Sequence, residues 1–311
     1  MSIIFVADIH VQNKEPHRIA TLKFLKWLLE NYKNDIILQG GDLFDKSSVH
    51  HDLVDEVIEI LKQFKDFRLV NGNHEISSKL GNILKPLRHH NNITVYYEKT
   101  EFEINGIKFI ALPSSESKEK SYEEIKETYD YSVCHFMPIQ ESFGNGGIEL
   151  KFKATHLFSH IHRYREFIDN FRNKCLIAGA VVSTKYGEQD WEKNIYKIDK
   201  NGYEKIKVPQ FFIYETIEFG QEPSSSNNIL NIKNATSWEA VYEKYKRCYI
   251  REEGVEFVKT EGNLEFEQKE FEGSSLKQKF NIFQLDRGLS KEVSEKCFEY
   301  IDKYENLTEE K

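Results

Sequence analysis

The sequence predicts an α/β protein in which two β-sheets are faced by helices. Two observations carry this reading. Residues 1 to 75 alternate short apolar runs with helical-period segments, which implies right-handed βαβ crossovers and a parallel sheet core. From residue 93 the chain changes to apolar runs paired around tight-turn dipeptides, which implies hairpins. A third observation concerns what the apolar runs end on. Asp8-Ile9-His10, Gly41-Asp42, Gly72-Asn73-His74-Glu75, Cys134-His135 and Ser159-His160-Ile161-His162 each follow such a run. The carboxyl ends of strands are where an α/β sheet opens onto its ligand crevice.

Taken in order, Ile4-Phe5-Val6-Ala7 reads as a buried strand ending on Asp8 and His10. Two residues apart in extended backbone, their side chains leave on the same side. After a polar loop, residues 18 to 31 are helical, with Ile19, Leu22, Leu25, Leu28 and Leu29 on one face. Asp35 to Leu38 is a strand that stops at Gly40-Gly41-Asp42. Residues 51 to 65 form a second helix through Val54, Val57, Ile58, Leu61 and Phe64, and Phe67 to Val70 is a third strand. Phe102 to Ile104 and Ile107 to Leu112 flank Asn105-Gly106, a strong hairpin signal. Tyr131 to His135 and Leu157 to His162 read as strands. Residues 166 to 182 and 194 to 208 read as hairpins turning at Asp169-Asn170 and Asn201-Gly202. The expectation is therefore a parallel half followed by a more antiparallel half.

Gly220 to Asn228 is the best linker, and divides a first domain over 1–219 from a second over 229–311. In the second, Ser237 is placed to cap a helix running to Arg247. Tyr249 to Lys259 and Leu264 to Phe271 resemble paired strands, and Ser290 to Tyr304 an amphipathic helix. Leu289, Val293, Cys297 and Ile301 recur every four residues there, a stripe that either packs on its own domain or, as its place at the end of the chain favours, enters a hydrophobic groove of a partner ATPase.

Composition narrows the function classes. No apolar run approaches the roughly 20 residues of a membrane span, and the N-terminus enters a strand directly, with no signal peptide. Cys134, Cys175, Cys248 and Cys297 are scattered, which argues for a reducing cytoplasm and against a cysteine zinc site. A net charge of −8 excludes a generic nucleic-acid binder, so any phosphate contact is local. A metal pair supplies such local positive charge.

A buried unpaired carboxylate is costly, and Asp8 finds its partners among the other strand ends. Asp8, His10, Asp42, Asn73, His135, His160 and His162 are enough ligands for two divalent cations that share a carboxylate. Mixed Asp, His and Asn ligation without thiolates suits manganese, iron or zinc better than calcium. Such a pair catalyses in-line phosphoryl displacement. His74, left without a metal, is placed to protonate a leaving oxygen. Each motif alone is an ordinary turn; five in this order, each after an apolar strand, are not. His50-His51 and His89-His90 lack that strand context and read as helix-start and loop residues, and His17 and His156 as structural.

These five motifs resemble those of the calcineurin-like metallophosphoesterase superfamily over about residues 1 to 210. The resemblance implies a double β-sheet sandwich flanked by helices, followed here by a small C-terminal α+β capping domain. It implies one metal on Asp8, His10, Asp42 and His162 and another on Asp42, Asn73, His135 and His160, with Asp42 bridging. Gly40-Gly41-Asp42-Leu43-Phe44-Asp45-Lys46 and Cys134-His135-Phe136-Met137-Pro138 are similar to the SbcD-type nucleases, a group that includes phage recombination subunits. Asp45 falls where those nucleases place a residue that orients the acid. Two departures stand out: Ser159 where the last motif usually begins with Gly, and Glu75 where Asp is common.

The reading is a Mn²⁺-dependent DNA exo/endonuclease subunit of a repair and recombination complex. Mg²⁺, Fe²⁺ and Zn²⁺ are its alternatives as metal. The partners expected are an SbcC-type ATPase, DNA and a second copy of the chain. The rivals are a phosphomonoesterase or small-molecule phosphodiesterase, since fold does not fix substrate, and a non-enzymatic scaffold, against which the intact ligand set argues. The region beyond about residue 215 favours the nuclease, because a compact phosphatase needs nothing there. Lys14, His17, Arg18, Lys46, Lys79, Arg163 and Arg165 flank the motifs and are the phosphate-contact candidates.

Overall fold

A computed structural model describes residues 1–258 except 78, 80, 115–118, 143–146, 189 and 227. The strand expected at 264–271 and the helix expected at 290–304 lie outside the described residues. The chain divides into two compact units, the larger made of Met1–Ile217, Gln221–Asn231 and Tyr245–Gly254.

The larger unit is a sandwich of two six-stranded sheets. Its first half contains β1 (Ile3–Val6), α1 (His17–Tyr32), β2 (Ile36–Gln39), α2 (His51–Leu61) and β3 (Asp66–Val70). A two-stranded ribbon, β4 (Ile76–Ser77) and β5 (Gly81–Asn82), precedes β6 (Ile93–Tyr96). There follow β7 (Thr100–Ile104), β8 (Ile107–Leu112), β9 (Tyr131–Cys134), β10 (Thr155–Phe158), β11 (Arg165–Ile168), β12 (Lys174–Ile177), β13 (Asn194–Asp199) and β14 (Gly202–Lys207).

The first sheet has the order β14-β13-β1-β2-β3-β6 and the second β11-β12-β10-β9-β8-β7. The expected contrast between halves is corrected here. In the second sheet β8, β9, β10 and β12 are all parallel, and antiparallel pairing is confined to its edges. The hairpin at 194–208 leaves that sheet and pairs with β1 of the first. The parallel core was hidden because its crossovers are irregular loops and short 3₁₀ turns, which carry no 3.6-residue period.

Strand alternation assigns the layers. Ile3, Phe5, Ile36, Leu38 and Val70 face inward and pack with Phe109, Tyr131, Val133, Leu157 and Leu176 between the sheets. Ile4, Val6, Ile37, Phe67 and Leu69 face outward against Phe24, Leu25, Leu28, Val54, Val57 and Leu61 of α1 and α2. Both faces are covered, hence the nearly continuous apolar strands. The outer face of the second sheet packs against Tyr122, Ile125, Tyr129 and Phe152, so among the described residues no α-helix flanks it.

The remaining strands are β15 (Tyr214–Glu218), β16 (Ile229–Ala235) and β17 (Tyr249–Phe257), a three-stranded sheet with β16 central. Glu215 accepts hydrogen bonds from Ser224 and Asn228, tying the Gly- and Ser-rich stretch down. Among the described residues, the smaller unit includes Ile232–Lys244 and 255–258. In it Ser237 Oγ accepts the Ala240 amide at 3.2 Å and caps α3 (Trp238–Lys244). No helix among the described residues is long and apolar enough to cross a membrane.

Candidate metal centre

All five motifs converge at the carboxyl ends of β1, β2, β3, β9 and β10. The chain delivers them through left-handed backbone. Asp8, His10, Asp42 and His160 have φ of 45°, 53°, 54° and 79°. β1 ends at Val6, so Asp8 and His10 do not share a side by strand alternation as expected. They are aimed instead by a loop zipped to the one after β2: His10 N donates to Asp42 O at 3.0 Å and Val11 N to Leu43 O at 2.8 Å. Non-glycine residues persist in this region only where the surroundings over-determine them, and such strain clusters at functional sites. Two glycines make the approach possible. A Cβ on Gly41, whose φ is +113°, would sit 2.1 Å from His135 Nδ1, and one on Gly72 would sit 2.2 Å from Asp42 Oδ1.

Asp42 is the hub and is fully buried. His135 Nε2 lies 3.2 Å from Asp42 Oδ1, and His10 Nε2 lies 3.7 Å from Oδ2. Asn73 Oδ1 stands 3.1 Å from His135 Nε2 and 3.0 Å from His160 Nδ1. His10 and His162 face each other through Nε2 atoms 2.9 Å apart. Asp8 accepts the His160 amide on both oxygens, at 3.0 and 3.1 Å. Asp8, His10 and His162 form one potential cation-holding group, and Asp42, His135 and His160 another. The structure thus brings together all seven predicted ligands.

The electrostatics call for a positive centre. His135 Nδ1 lies 2.9 Å from the Gly40 carbonyl and donates its proton there. Its Nε2 therefore points a lone pair at the Asp42 and Asn73 oxygens unless a proton or a cation intervenes. Burial pushes His135 down, but Asp42, Asp8 and Glu75 outweigh it and raise the imidazole to about 10. Burial also raises Asp42, yet the facing His135 holds the carboxyl well below the usual range. Burial lowers His10 to about 3, which leaves a neutral imidazole able to ligate.

A divalent pair fits this site. His10 Nδ1 and Asp42 Oδ2 are buried without a hydrogen-bond partner among the described residues. Buried polar atoms are normally satisfied; Asp42 Oδ2 faces His10 Nε2 within the site, whereas His10 Nδ1 turns to the Asp45 carboxylate 3.7 Å away. The donor set of carboxylate, imidazole and amide without thiolate suits Mn²⁺, Fe²⁺ or Zn²⁺.

His74 sits at the rim, its ring half-buried. Its Nδ1 is 2.5 Å from the backbone carbonyl of Asp45, and its Nε2 is 3.9 Å from Asp42 Oδ2. Asp45 thus holds His74 through its main chain. Its carboxylate lies 3.7 Å from His10 Nδ1 instead. The two motif departures are accommodated locally. Glu75 is fully buried and accepts Gly72 N at 2.8 Å and Phe44 N at 3.1 Å, its longer arm reaching both loops. Burial and the nearby Asp42 push its carboxyl up to about 8. Ser159 is buried over Gly40, where a Cβ would come within 2.0 Å of its hydroxyl, so the side chain gained at one position fills space left at the other.

Glu188 was not singled out from the sequence. It is buried, 3.0 Å from His162 Nδ1, and accepts Thr184 N at 2.7 Å. It therefore fixes the tautomer that leaves His162 Nε2 free to ligate. No sequence signal pointed to it, because Glu188 lies in a loop 26 residues beyond His162 and after no apolar strand. His156 is buried with Nδ1 2.7 Å from Ser132 Oγ, and His17, named both as structural and as a phosphate-contact candidate, is buried beneath Phe212 rather than exposed to a phosphate. Among the phosphate-contact candidates, Arg18 pairs with Glu56 and Arg165 with Glu141, whereas Lys14, Lys46, Lys79 and Arg163 are exposed.

The calcineurin-like phosphoesterase family matches the chain over residues 1–210, and the chain belongs to it. The family consists of metal-dependent phosphoesterases with a dinuclear site. Among solved structures, the chain is similar to an archaeal phosphodiesterase at 13% identity, covering 67% of this chain and 100% of that one with a TM-score of 0.40. It is also similar to a 5'-nucleotidase precursor from Thermus thermophilus at 11% identity, covering 68% and 54% with a TM-score of 0.39. A predicted phosphoesterase from Streptococcus pneumoniae matches at 13% identity, covering 66% and 97% with a TM-score of 0.31. No curated protein sequence matches the chain.

Proposed function

We propose that this phosphoesterase is a Mn²⁺-dependent DNA nuclease, the catalytic subunit of a repair and recombination complex with an SbcC-type ATPase. The observation that carries hydrolysis is the convergence of Asp8, His10, Asn73, His135, His160 and His162 around a buried Asp42. Four exposed cations on the motif loops, Lys14, Lys46, Lys79 and Arg163, support a polyanionic substrate against an overall charge of −8.

Asp8, His10 and His162 would hold one ion, Asn73, His135 and His160 the other, and Asp42 both. When bound, such a pair polarises a phosphoryl oxygen and makes water nucleophilic at neutral pH. The chain's own groups do the rest. Glu188 and the Gly40 carbonyl orient His162 and His135 through their Nδ1 atoms. The Asp45 carbonyl accepts a hydrogen bond from His74 Nδ1–H, which turns Nε2 toward the site. His74 Nε2, facing the site, is placed to give a proton to the departing sugar oxygen.

The test is cleavage of linear duplex DNA and single-stranded DNA by the purified protein with Mn²⁺, beside p-nitrophenyl phosphate, with and without the ATPase. DNA cleavage is expected. Turnover of p-nitrophenyl phosphate with no cut in either DNA would make the protein a phosphomonoesterase.

A further inference from the structure

A second feature of the larger unit, a cleft beside the metal centre, has no role in the chemistry above. It has a volume of about 810 Å³ and is lined by the loop before α1, by Lys185 and Tyr186, and by the first residues of β15, β16 and β17. That volume is in the range of ligand sites, about 300–1,000 Å³. The cleft adjoins the centre covalently: Thr184, which precedes Lys185, places its Oγ1 3.1 Å from His162 Nδ1.

The chemistry of the lining is specific. Three tyrosines, Tyr186, Tyr214 and Tyr249, stand among three cations, Lys14, Lys185 and Arg251. Tyr186 is 47% exposed, unusual for a large aromatic ring, and carries the Arg251 guanidinium 4.2 Å from its centroid. Tyr214 packs edge-on against it at 5.4 Å. Lys14 and Lys185 are exposed, and neither joins an ion pair among the described residues. The single acid in the lining, Glu15, is occupied by the Tyr249 hydroxyl at 2.8 Å. Cationic side chains around one exposed ring, Tyr186, with Tyr214 and Tyr249 half-buried beside it, suit a single strand: cations follow the phosphates, and a ring stacks a base regardless of sequence. A duplex keeps its bases stacked inside and offers the rings nothing.

We infer that this cleft binds an unpaired nucleic-acid strand next to the scissile phosphate, with Tyr186 as its base platform. The inference rests on the phosphoesterase reading of the adjoining centre and adds the form of the substrate.

The test measures binding of a short fluorescein-labelled oligo(dT), its ribo-counterpart and a duplex by anisotropy, with EDTA present so that nothing is cut. Hydrolysis of bis-p-nitrophenyl phosphate with Mn²⁺ is followed in parallel. Tyr186→Ala should weaken strand binding roughly 5- to 150-fold, the worth of one stacked base. Tyr186→Phe should restore it, and hydrolysis of the small diester should not change. Lys14→Ala should reduce the slope of log affinity against log salt by about 0.7, the loss of one phosphate contact. The DNA and RNA arms tell which strand is preferred. Wild-type affinity in Tyr186→Ala, absence of binding by either strand, or equal weakening toward the duplex would overturn the cleft assignment. Failure to hydrolyse the diester, with strand binding intact, would instead remove the phosphoesterase reading.

Discussion

Replacing Glu188 separates the ligands of the centre from what orients them. Its Oε1 lies 3.0 Å from His162 Nδ1, and its Oε2 accepts Thr184 N at 2.7 Å and Lys185 N at 3.3 Å. A hydrogen bond to a charged group is worth about 1.5–3 kcal/mol, equivalent to roughly 10- to 150-fold in an equilibrium constant. Loss of such an outer partner costs about 10–100-fold in metal affinity in other centres. Glu188→Gln keeps an acceptor for His162 and loses the charge, so Mn²⁺ should bind about 10-fold more weakly. Glu188→Ala removes the acceptor as well and should approach a loss of about 100-fold. The alanine variant also orphans the Thr184 amide, at about 1–3 kcal/mol of folding stability, so its melting temperature should fall while that of Glu188→Gln changes little. Calorimetric titration of the metal-stripped proteins with Mn²⁺, beside thermal melts, reads both effects. Wild-type Mn²⁺ affinity in a folded Glu188→Ala protein would refute the orienting role.

Asp42→Ala should abolish hydrolysis and remove at least one bound metal ion, because Asp42 faces His10, His74 and His135 at once; metal analysis of the purified variant decides this. His74→Ser should keep both metals and cut turnover roughly 10²–10⁴-fold, the worth of a positioned proton donor. The deficit should shrink on a substrate with a good leaving group, and an equal loss on both would exclude the acid role. Lys193 offers a stability test away from catalysis. It is 6% exposed, its Nζ has no hydrogen-bond partner among the described residues and lies 5.9 Å from the Trp191 ring centroid, and burial pushes its ammonium down to about 8 from 10.5. Below about pH 8 both folded and unfolded chains hold the proton, and the folded state bears the whole burial penalty. Between 8 and 10.5 the unfolded chain binds more protons, so stability rises with pH. Lys193→Met should therefore raise the melting temperature at about pH 7, by about 1–3 kcal/mol in stability, and the gain should shrink by about pH 10. An unchanged difference across that range would show that the ammonium is not what the substitution relieves.

The candidate ligands, their order along the chain and the parallel first half of the fold were legible from residue patterns alone. Those properties are local: an apolar run buried on both faces reads as continuous hydrophobicity, and Asp8, His10, Asp42, Asn73 and His135 follow such runs directly. The hairpin at Asn105-Gly106 was equally legible, since both residues take the positive φ (52° and 73°) that the turn requires. Tertiary structure decided what depends on distant partners. The four parallel strands of the second sheet were invisible because the segments joining them have no period. Asp8 and His10 owe their aim to main-chain bonds with the loop at 41–43 rather than to strand alternation. Asp45 serves His74 through its carbonyl, an atom every residue possesses, so no side-chain pattern could announce it. Glu188 and the tyrosines of the cleft act across folds of the chain far apart in sequence. A carboxylate becomes an orienting group, and a tyrosine a platform, only once packing has chosen its neighbours.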